Sequence, residues 1–333
     1  MSGGSVKPSD RICLIMTMRP VTIKTGMGFT SGKGLMIIKE LGRDFDINKI
    51  AGSGQAFRFF PLGTGKYLLA AGQRSLKIEA LAGGKTCFFS SEKDFEKIWA
   101  PYFDLDTDYS VIAEKIQEKA DPYLLAALKK GRGIRILRQD PWESLVTFIL
   151  SQRKNIPAIK KAVEALCKAA GKKIPVFENA RKEPSEERPK EGGSDGSYCL
   201  RDLYAFPGPE DLFAFSEKDW AGCRFGYREK YLRRLVRDAA SGKLDLQNWA
   251  RLSDPDLEEK LLALYGVGKK VAACVMLYGF HRLNAFPQDV WIHRILEDHY
   301  GGKADLNKYA PYSGLVQQYL FEYGRKEDPE RRN

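Results

Sequence analysis

The feature that most constrains this chain is a change of hydrophobic period near residue 91. Up to that point apolar residues come in short alternating runs, at 36–38, 56–62 and 67–71, at Leu76, Ile78 and Ala80, and at 87–89, divided by Gly63, Gly65, Gly83 and Gly84. Alternation with period two puts successive side chains on opposite faces of a strand, and glycines between the runs supply turns, so 36–91 reads as an antiparallel meander. From about Glu92 the spacing becomes helical. Asp140, Pro141 and Glu143 stand at N-cap, N1 and N3 of an expected capping box that launches an apolar helix. Ile159, Val163 and Leu166 then share one helix face, and helical patterning returns at 211–215, 229–240, 256–264, 269–280, 290–299 and 312–323. The expected fold class is α+β, with an antiparallel sheet domain at 36–103 packed on a mostly α-helical body at 104–325. Residues 1–35 read as a flexible N-terminal tail and 326–333 as a polar tail. Residues 171–197, rich in Lys, Glu, Pro, Gly and Ser, read as a disordered insertion in the body.

Charge narrows the partners. The 54 Lys plus Arg against 43 Asp plus Glu give a net charge of +11, which favours a polyanion: DNA, RNA or an anionic membrane surface. The longest apolar stretch, 271–280, is half of the ~20 residues that a bilayer crossing requires. The apolar run at 12–18 is closed by Arg11 and Arg19 and lacks a small-residue cleavage site, so neither a membrane anchor nor secretion is expected, and the location is read as cytoplasmic or nucleoid. The 6 cysteines form no C-x-x-C pair and the 3 histidines are dispersed, so no side-chain metal site and no iron–sulfur cluster are expected.

Chemistry concentrates at 257–280, where an amphipathic helix runs into Gly266-Val267-Gly268 and directly into a second apolar helix. The two glycines allow positive φ and close backbone approach, leaving helix N-terminal amides free for a phosphate; Lys269 extends that phosphate contact. Lys270 opens the second helix, and Asp289 follows nineteen residues later, just before another helix. Taken singly these residues have ordinary explanations: Asp289 as an N-cap, Lys270 as a solvated side chain, Cys274 and Phe321 as core, Gln317 as a surface amide. The joint spacing carries the weight.

At this point the chain resembles the helix-hairpin-helix DNA glycosylases, and among them the 8-oxoguanine DNA glycosylase/lyases, in a sequence of bacterial or archaeal type. The resemblance rests on the hairpin with Lys270 and Asp289, on Ser53-Gly54-Gln55-Ala56-Phe57-Arg58, on Cys274 four residues after Lys270, on Gly226-Tyr227-Arg228, and on the segment from Pro311 to Phe321. It implies a TBP-like sheet domain on a helical glycosylase body, acting as a monomer on duplex DNA that contains 8-oxoguanine. It implies that the base is flipped out and excised and the abasic site cleaved through a lysine Schiff base. Lys270 would be the nucleophile and Asp289 would stabilise the transition state, held ionised by its helix N-terminus. The Gly54 carbonyl would accept from the N7 hydrogen that distinguishes 8-oxoguanine from guanine, Phe321 and Cys274 would sandwich the ring, and Gln317 would bond its Watson–Crick edge through both amide groups. Arg153, Asn155, Tyr227, Arg228, Gly266, Gly268, Lys269 and Trp291 would contact DNA.

The family's hairpin implies a monovalent cation held by backbone carbonyls and no organic cofactor. The chain departs from the eukaryotic members in three places. Arg153 occupies the position of the asparagine that fills the vacated stack, Ala158 that of a second arginine on the orphaned cytosine, and Trp291 that of a histidine. These departures bear on opposite-base selectivity more than on catalysis. The competing readings are a monofunctional alkylpurine glycosylase, against which Lys270 argues, and a non-catalytic helix-hairpin-helix DNA-binding protein, which leaves Asp289, Gln317 and Phe321 unexplained.

Overall fold

The computed structural model describes residues 36–176, 202–302 and 304–327. Strands β1 (Met36–Glu40), β2 (Phe59–Gly63), β3 (Lys66–Ala71), β4 (Arg74–Leu81) and β5 (Lys85–Phe89) form one antiparallel sheet in the order β1-β5-β4-β3-β2. The meander is therefore β2 to β5, and β1 closes the far edge on β5, with Met36 opposite Phe89. Between β1 and β2 stands a short helix, Ile47–Gly52, that the alternating pattern hides; Asp46 caps it by accepting from the Asn48 and Lys49 amides.

Alternation along the strands serves two separate cores. Phe59, Leu69, Leu76, Ile78 and Phe88 face a cluster with Ile47, Ile50, Phe95, Trp99 and Phe103. The opposite face carries Phe60, Leu68 and Ala70, covered by Ile174, Val176, Leu203 and Ala205. That cover corrects the reading of 171–197 as wholly disordered. Its first six residues are ordered, β6 (Lys173–Ile174) pairs with β7 (Leu203–Tyr204), and the Pro175 carbonyl accepts from Ser75 Oγ at 2.6 Å. Four apolar side chains that cover a sheet face outweigh the polar composition around them. Residues 177–197 lie outside the described residues, as does the expected tail at 1–35. Lys326 belongs to the last helix, Ser313–Glu327, so the polar tail cannot begin there; 328–333 also lie outside the described residues.

The helical body forms around Pro141–Ser151, in which Leu145, Val146, Phe148, Ile149 and Leu150 are all buried. Asp140 caps this helix by accepting from the Glu143 amide, but the expected capping box is only half formed. Instead of returning to its own N-cap, the half-buried Glu143 carboxyl accepts from the Gly72 amide at 2.9 Å. The carboxyl thereby ties the helix to the β3–β4 turn. Burial, opposed by Arg58 and by the Gly72 bond, pushes its pKa up to about 7. The helix packs on the wider π-turn Val275–Gly279, and the last helix packs on Pro122–Gly131 so closely that a Cβ at Gly131 would lie 2.6 Å from the Tyr319 ring. Among the described residues no helix is long and apolar enough to cross a membrane.

Candidate active site

Four stretches far apart in sequence converge on one narrow cleft of about 50 Å³, lined among others by Gly54, Phe148, Lys270, Cys274, Tyr278, Asp289, Gln317, Gln318 and Phe321. A wider groove of about 470 Å³, edged by Arg43, Lys49, Lys85, Lys129 and Arg132, holds none of them. Volume alone would favour the groove; the convergence of a lysine, a carboxylate and amides favours the cleft.

The Ser53-Gly54-Gln55 turn is held from behind. Gln55 is fully buried; its Nε2 donates to Ser53 Oγ and the Arg135 carbonyl, and its Oε1 accepts from the Leu137 amide. Its own carbonyl accepts from Gln139 Nε2 at 2.7 Å. Gly54 between these anchors has φ +75°, a conformation that favours glycine, and its missing Cβ would face the Phe321 ring at 3.6 Å. Phe57 and Arg58 of the same motif are structural. Phe57 packs edge-on against Phe148, and Arg58 pairs with Glu164 at 2.6 Å and donates to the Tyr204 carbonyl.

The hairpin supplies the lysine. Gly266 has φ +89°, and a Cβ there would sit 2.3 Å from the Tyr231 ring, so only glycine fits. Gly268, expected to share the positive φ, has φ −101° and serves instead as the extended N-cap of Lys269–Cys274. At this helix start Lys269 is exposed and Lys270 half-buried. The Lys270 amine lies over the Phe148 ring, 5.2 Å from its centroid, and donates to Ser151 Oγ at 3.4 Å. One turn later the buried Cys274 thiol is pushed up to about 11 by burial, against the charge of Lys270, so it stays neutral at physiological pH.

Asp289 caps Val290–Tyr300, accepting from the Ile292 amide at 2.9 Å. The net effect on its carboxyl is opposite to the expected one. Burial is the strongest influence and raises its pKa, outweighing the amides of Ile292 and Trp291 and the charge of Lys270. Opposite, Gln317 and Phe321 lie on consecutive turns of Ser313–Glu327, both buried.

The expected DNA contacts lie apart from the cleft. Arg153 is exposed at φ +52° in the turn between Pro141–Ser151 and Ile156–Ala170. Asn155 is committed to capping the second of these helices, its side chain accepting from the Ala158 amide at 3.0 Å. Arg228 does not stand free to read a base: it is buried, stacks on Tyr227, and donates through Nε and Nη2 to the Gln152 carbonyl. Tyr227 is exposed, and its hydroxyl reaches the same carbonyl at 3.4 Å. Trp291 is half-buried under the Arg294 guanidinium.

Sequence reasoning assigned no role to Phe148, Ser151, Gln152, Tyr278 or Gln318. Gln152 joins two elements, since its Nε2 donates to the Gly266 carbonyl at 2.9 Å while its own carbonyl holds Arg228. A polar pair, Ser151-Gln152, closing an otherwise apolar helix was the available signal.

The chain is similar in sequence and in fold to known proteins. Residues 37–145 match the family described as 8-oxoguanine DNA glycosylase, N-terminal domain. A probable N-glycosylase/DNA lyase of Methanothermobacter thermautotrophicus is 30% identical over 243 residues, 69% of this chain and 74% of that protein. MBOgg1, solved in complex with a low affinity DNA ligand, is 36% identical with a TM-score of 0.76, covering 89% of this chain and 98% of that one. The Clostridium acetobutylicum 8-oxoguanine glycosylase/lyase, solved with double-stranded DNA containing cytosine opposite 8-oxoG, is 31% identical with a TM-score of 0.75, covering 90% and 97%.

Proposed function

This chain belongs to the 8-oxoguanine DNA glycosylase family, and from that premise we propose that it is a bifunctional N-glycosylase/DNA lyase that excises 8-oxoguanine from duplex DNA. The observation that carries the reading is the half-buried Lys270 amine in one cleft with Asp289, Gly54, Cys274, Gln317 and Phe321.

In this reading the flipped base lies between Phe321 and Cys274, and the Gly54 carbonyl faces N7. That carbonyl accepts from the N7 hydrogen of 8-oxoguanine and repels the lone pair of guanine. The neutral amine of Lys270 attacks C1′; the N9–C1′ bond breaks, its electron pair leaves with the base, and the base takes up a proton. Asp289 offsets the positive charge that develops on the sugar, and its raised pKa makes it a better proton acceptor for Lys270 than a solvated aspartate. Lys270 Nζ then loses a proton and the C1′–O4′ bond breaks, O4′ taking up a proton, to give the Schiff base; this acidifies C2′, loss of that proton expels the 3′ phosphate, and water hydrolyses the imine to return Lys270. Lys269, exposed beside it, contacts the backbone phosphates with the hairpin amides.

We further propose that the hairpin turn takes a monovalent cation through backbone carbonyls and that no organic cofactor takes part. Neutral carbonyl oxygens at a glycine turn suit such an ion. Among the described residues no three His, Cys, Asp or Glu side chains cluster as metal ligands. The reading carries with it a place of action at the DNA, in the cytoplasm or nucleoid.

The test is borohydride trapping on a duplex containing 8-oxoguanine. A covalent protein–DNA adduct is expected. Base release without an adduct would point to the monofunctional reading, and binding without either to a non-catalytic module.

A further inference from the structure

Gln318 is buried next to Gln317 at the floor of the cleft, and its side chain is only half satisfied. Its Nε2 donates twice, to the Tyr278 hydroxyl at 2.7 Å and to Gln317 Oε1 at 2.9 Å. Its Oε1 is shielded from solvent and has no hydrogen-bond partner. A buried carbonyl oxygen left without a donor is costly to a folded protein, and on a residue that lines a substrate cleft it points to a donor supplied by the ligand. Tyr278, itself buried and stacked on Phe148, holds the Nε2 end of the amide from a second side.

We propose that Gln318 is a second base-reading residue, which accepts through Oε1 from the exocyclic 2-amino group of the flipped base; this rests on the glycosylase reading above. The Watson–Crick edge of 8-oxoguanine presents an acceptor at O6, a donor at N1–H and a donor at the 2-amino group. The two glutamines present the complement: Gln317 Nε2 as donor, Gln317 Oε1 as acceptor and Gln318 Oε1 as acceptor. The bond from Gln318 Nε2 to Gln317 Oε1 couples the two amides, since reversing one alone sets two like groups against each other. A carbonyl oxygen has two lone pairs, so Gln317 Oε1 still accepts from N1–H. Gly54 then reads oxidation at N7 while the glutamine pair reads the guanine-type edge, and purines without the 2-amino group leave Gln318 Oε1 unpaired.

The experiment compares single-turnover release of 8-oxoguanine and of 8-oxohypoxanthine, which lacks only the 2-amino group, from otherwise identical duplexes. The full chain is used, as wild type and as Gln318→Ala, Gln318→Met and Tyr278→Phe. Each base leaves with the same intrinsic lability from every protein, so the ratio of the two rates isolates the contact. Wild type is expected to favour 8-oxoguanine, and Gln318→Ala and Gln318→Met to lower the ratio of the two rates by about tenfold. Tyr278→Phe should lower it by a smaller factor. Gln318→Met keeps the side-chain volume should the alanine variant not fold. A wild-type ratio retained in either folded Gln318 variant, or equal losses on both bases, overturns the proposal. A wild-type protein that releases neither base overturns the glycosylase reading itself.

Discussion

The base cleft and the 151–155 turn adjoin the same C-terminal end of the helix Pro141–Ser151, yet they are built on opposite principles. In the cleft the polar side chains are largely held in place: Gln55 anchors the Gly54 turn from behind, Asp289 caps a helix, and Gln318 bridges Tyr278 and Gln317. In the turn Arg153 is exposed with a left-handed backbone, Asn155 is spent on a cap, and Arg228 is occupied by the Gln152 carbonyl. The difference teaches where selectivity is stored. The lesion meets preorganised groups, whereas the opposite base meets side chains that must first change partners.

The largest effect that could break this comparison is loss of the lysine. Lys270→Gln is expected to abolish base release and borohydride trapping while leaving duplex binding nearly intact, because it removes the nucleophile and little phosphate charge. Lys269→Gln should instead weaken binding modestly. Parallel rate and gel-shift measurements decide, and exchanged phenotypes would mean the hairpin register is wrong.

Next comes the helix that carries Phe148 and Ser151 into the cleft. The Glu143 carboxyl has a folded-state pKa of about 7 against an ordinary 4.5, so the fold favours its protonated form. The stability this contributes is complete below the unfolded pKa and is lost as pH rises through the folded one. Glu143→Gln, which keeps an acceptor for Gly72, should match wild type in acid and exceed it by about 3 kcal/mol at pH 8. Denaturant melts across pH 4 to 8 would show it, and a gain that shrinks as pH rises would contradict the sign.

A smaller effect sharpens the contrast with the turn. Ala158 can donate nothing from its side chain, and Arg228 must leave Gln152 before it can meet the orphaned base. Discrimination among opposite bases should therefore fall short of a two-arginine reader by ~1 to 3 kcal/mol. Single-turnover excision of 8-oxoguanine opposite C, T, G and A measures it. A thousandfold preference for cytosine would mean another residue supplies the readout, and Arg153→Ala in the same assay would identify or exclude Arg153.

Smallest of all is the effect of shortening the chain between β6 and β7. Replacing 177–201 with a short Gly-Ser link, while keeping Ile174, Val176 and Leu203, should leave base release within about twofold, because closure entropy varies only logarithmically with loop length. Removing 171–176 as well should lower stability measurably in thermal melts, since Ile174 and Val176 cover the sheet.

The sequence by itself determined the two-region architecture and the positions of most strands and long helices, and it singled out Gly54, Lys270, Cys274, Asp289, Gln317 and Phe321 of the cleft but not Phe148, Tyr278 or Gln318. Those properties follow from periodicity and from motif spacing, which are local: Lys270 and Cys274 share a helix face because a helix turns every 3.6 residues. Tertiary structure decided how the side chains are used. Glu143 had a local partner in its own capping box and took Gly72 instead, because packing on the sheet brought that amide within reach. Asp289 was read from its helix N-terminus alone, and burial under elements distant in sequence reversed the direction of its pKa. Gly268 carries the motif without the positive φ, residues 173–174 became a strand because an apolar sheet face was left uncovered, and Gln318 became a candidate reader only because Tyr278, forty residues earlier, meets its amide. Burial and partner choice depend on chain segments far apart in sequence, and no local pattern encodes them.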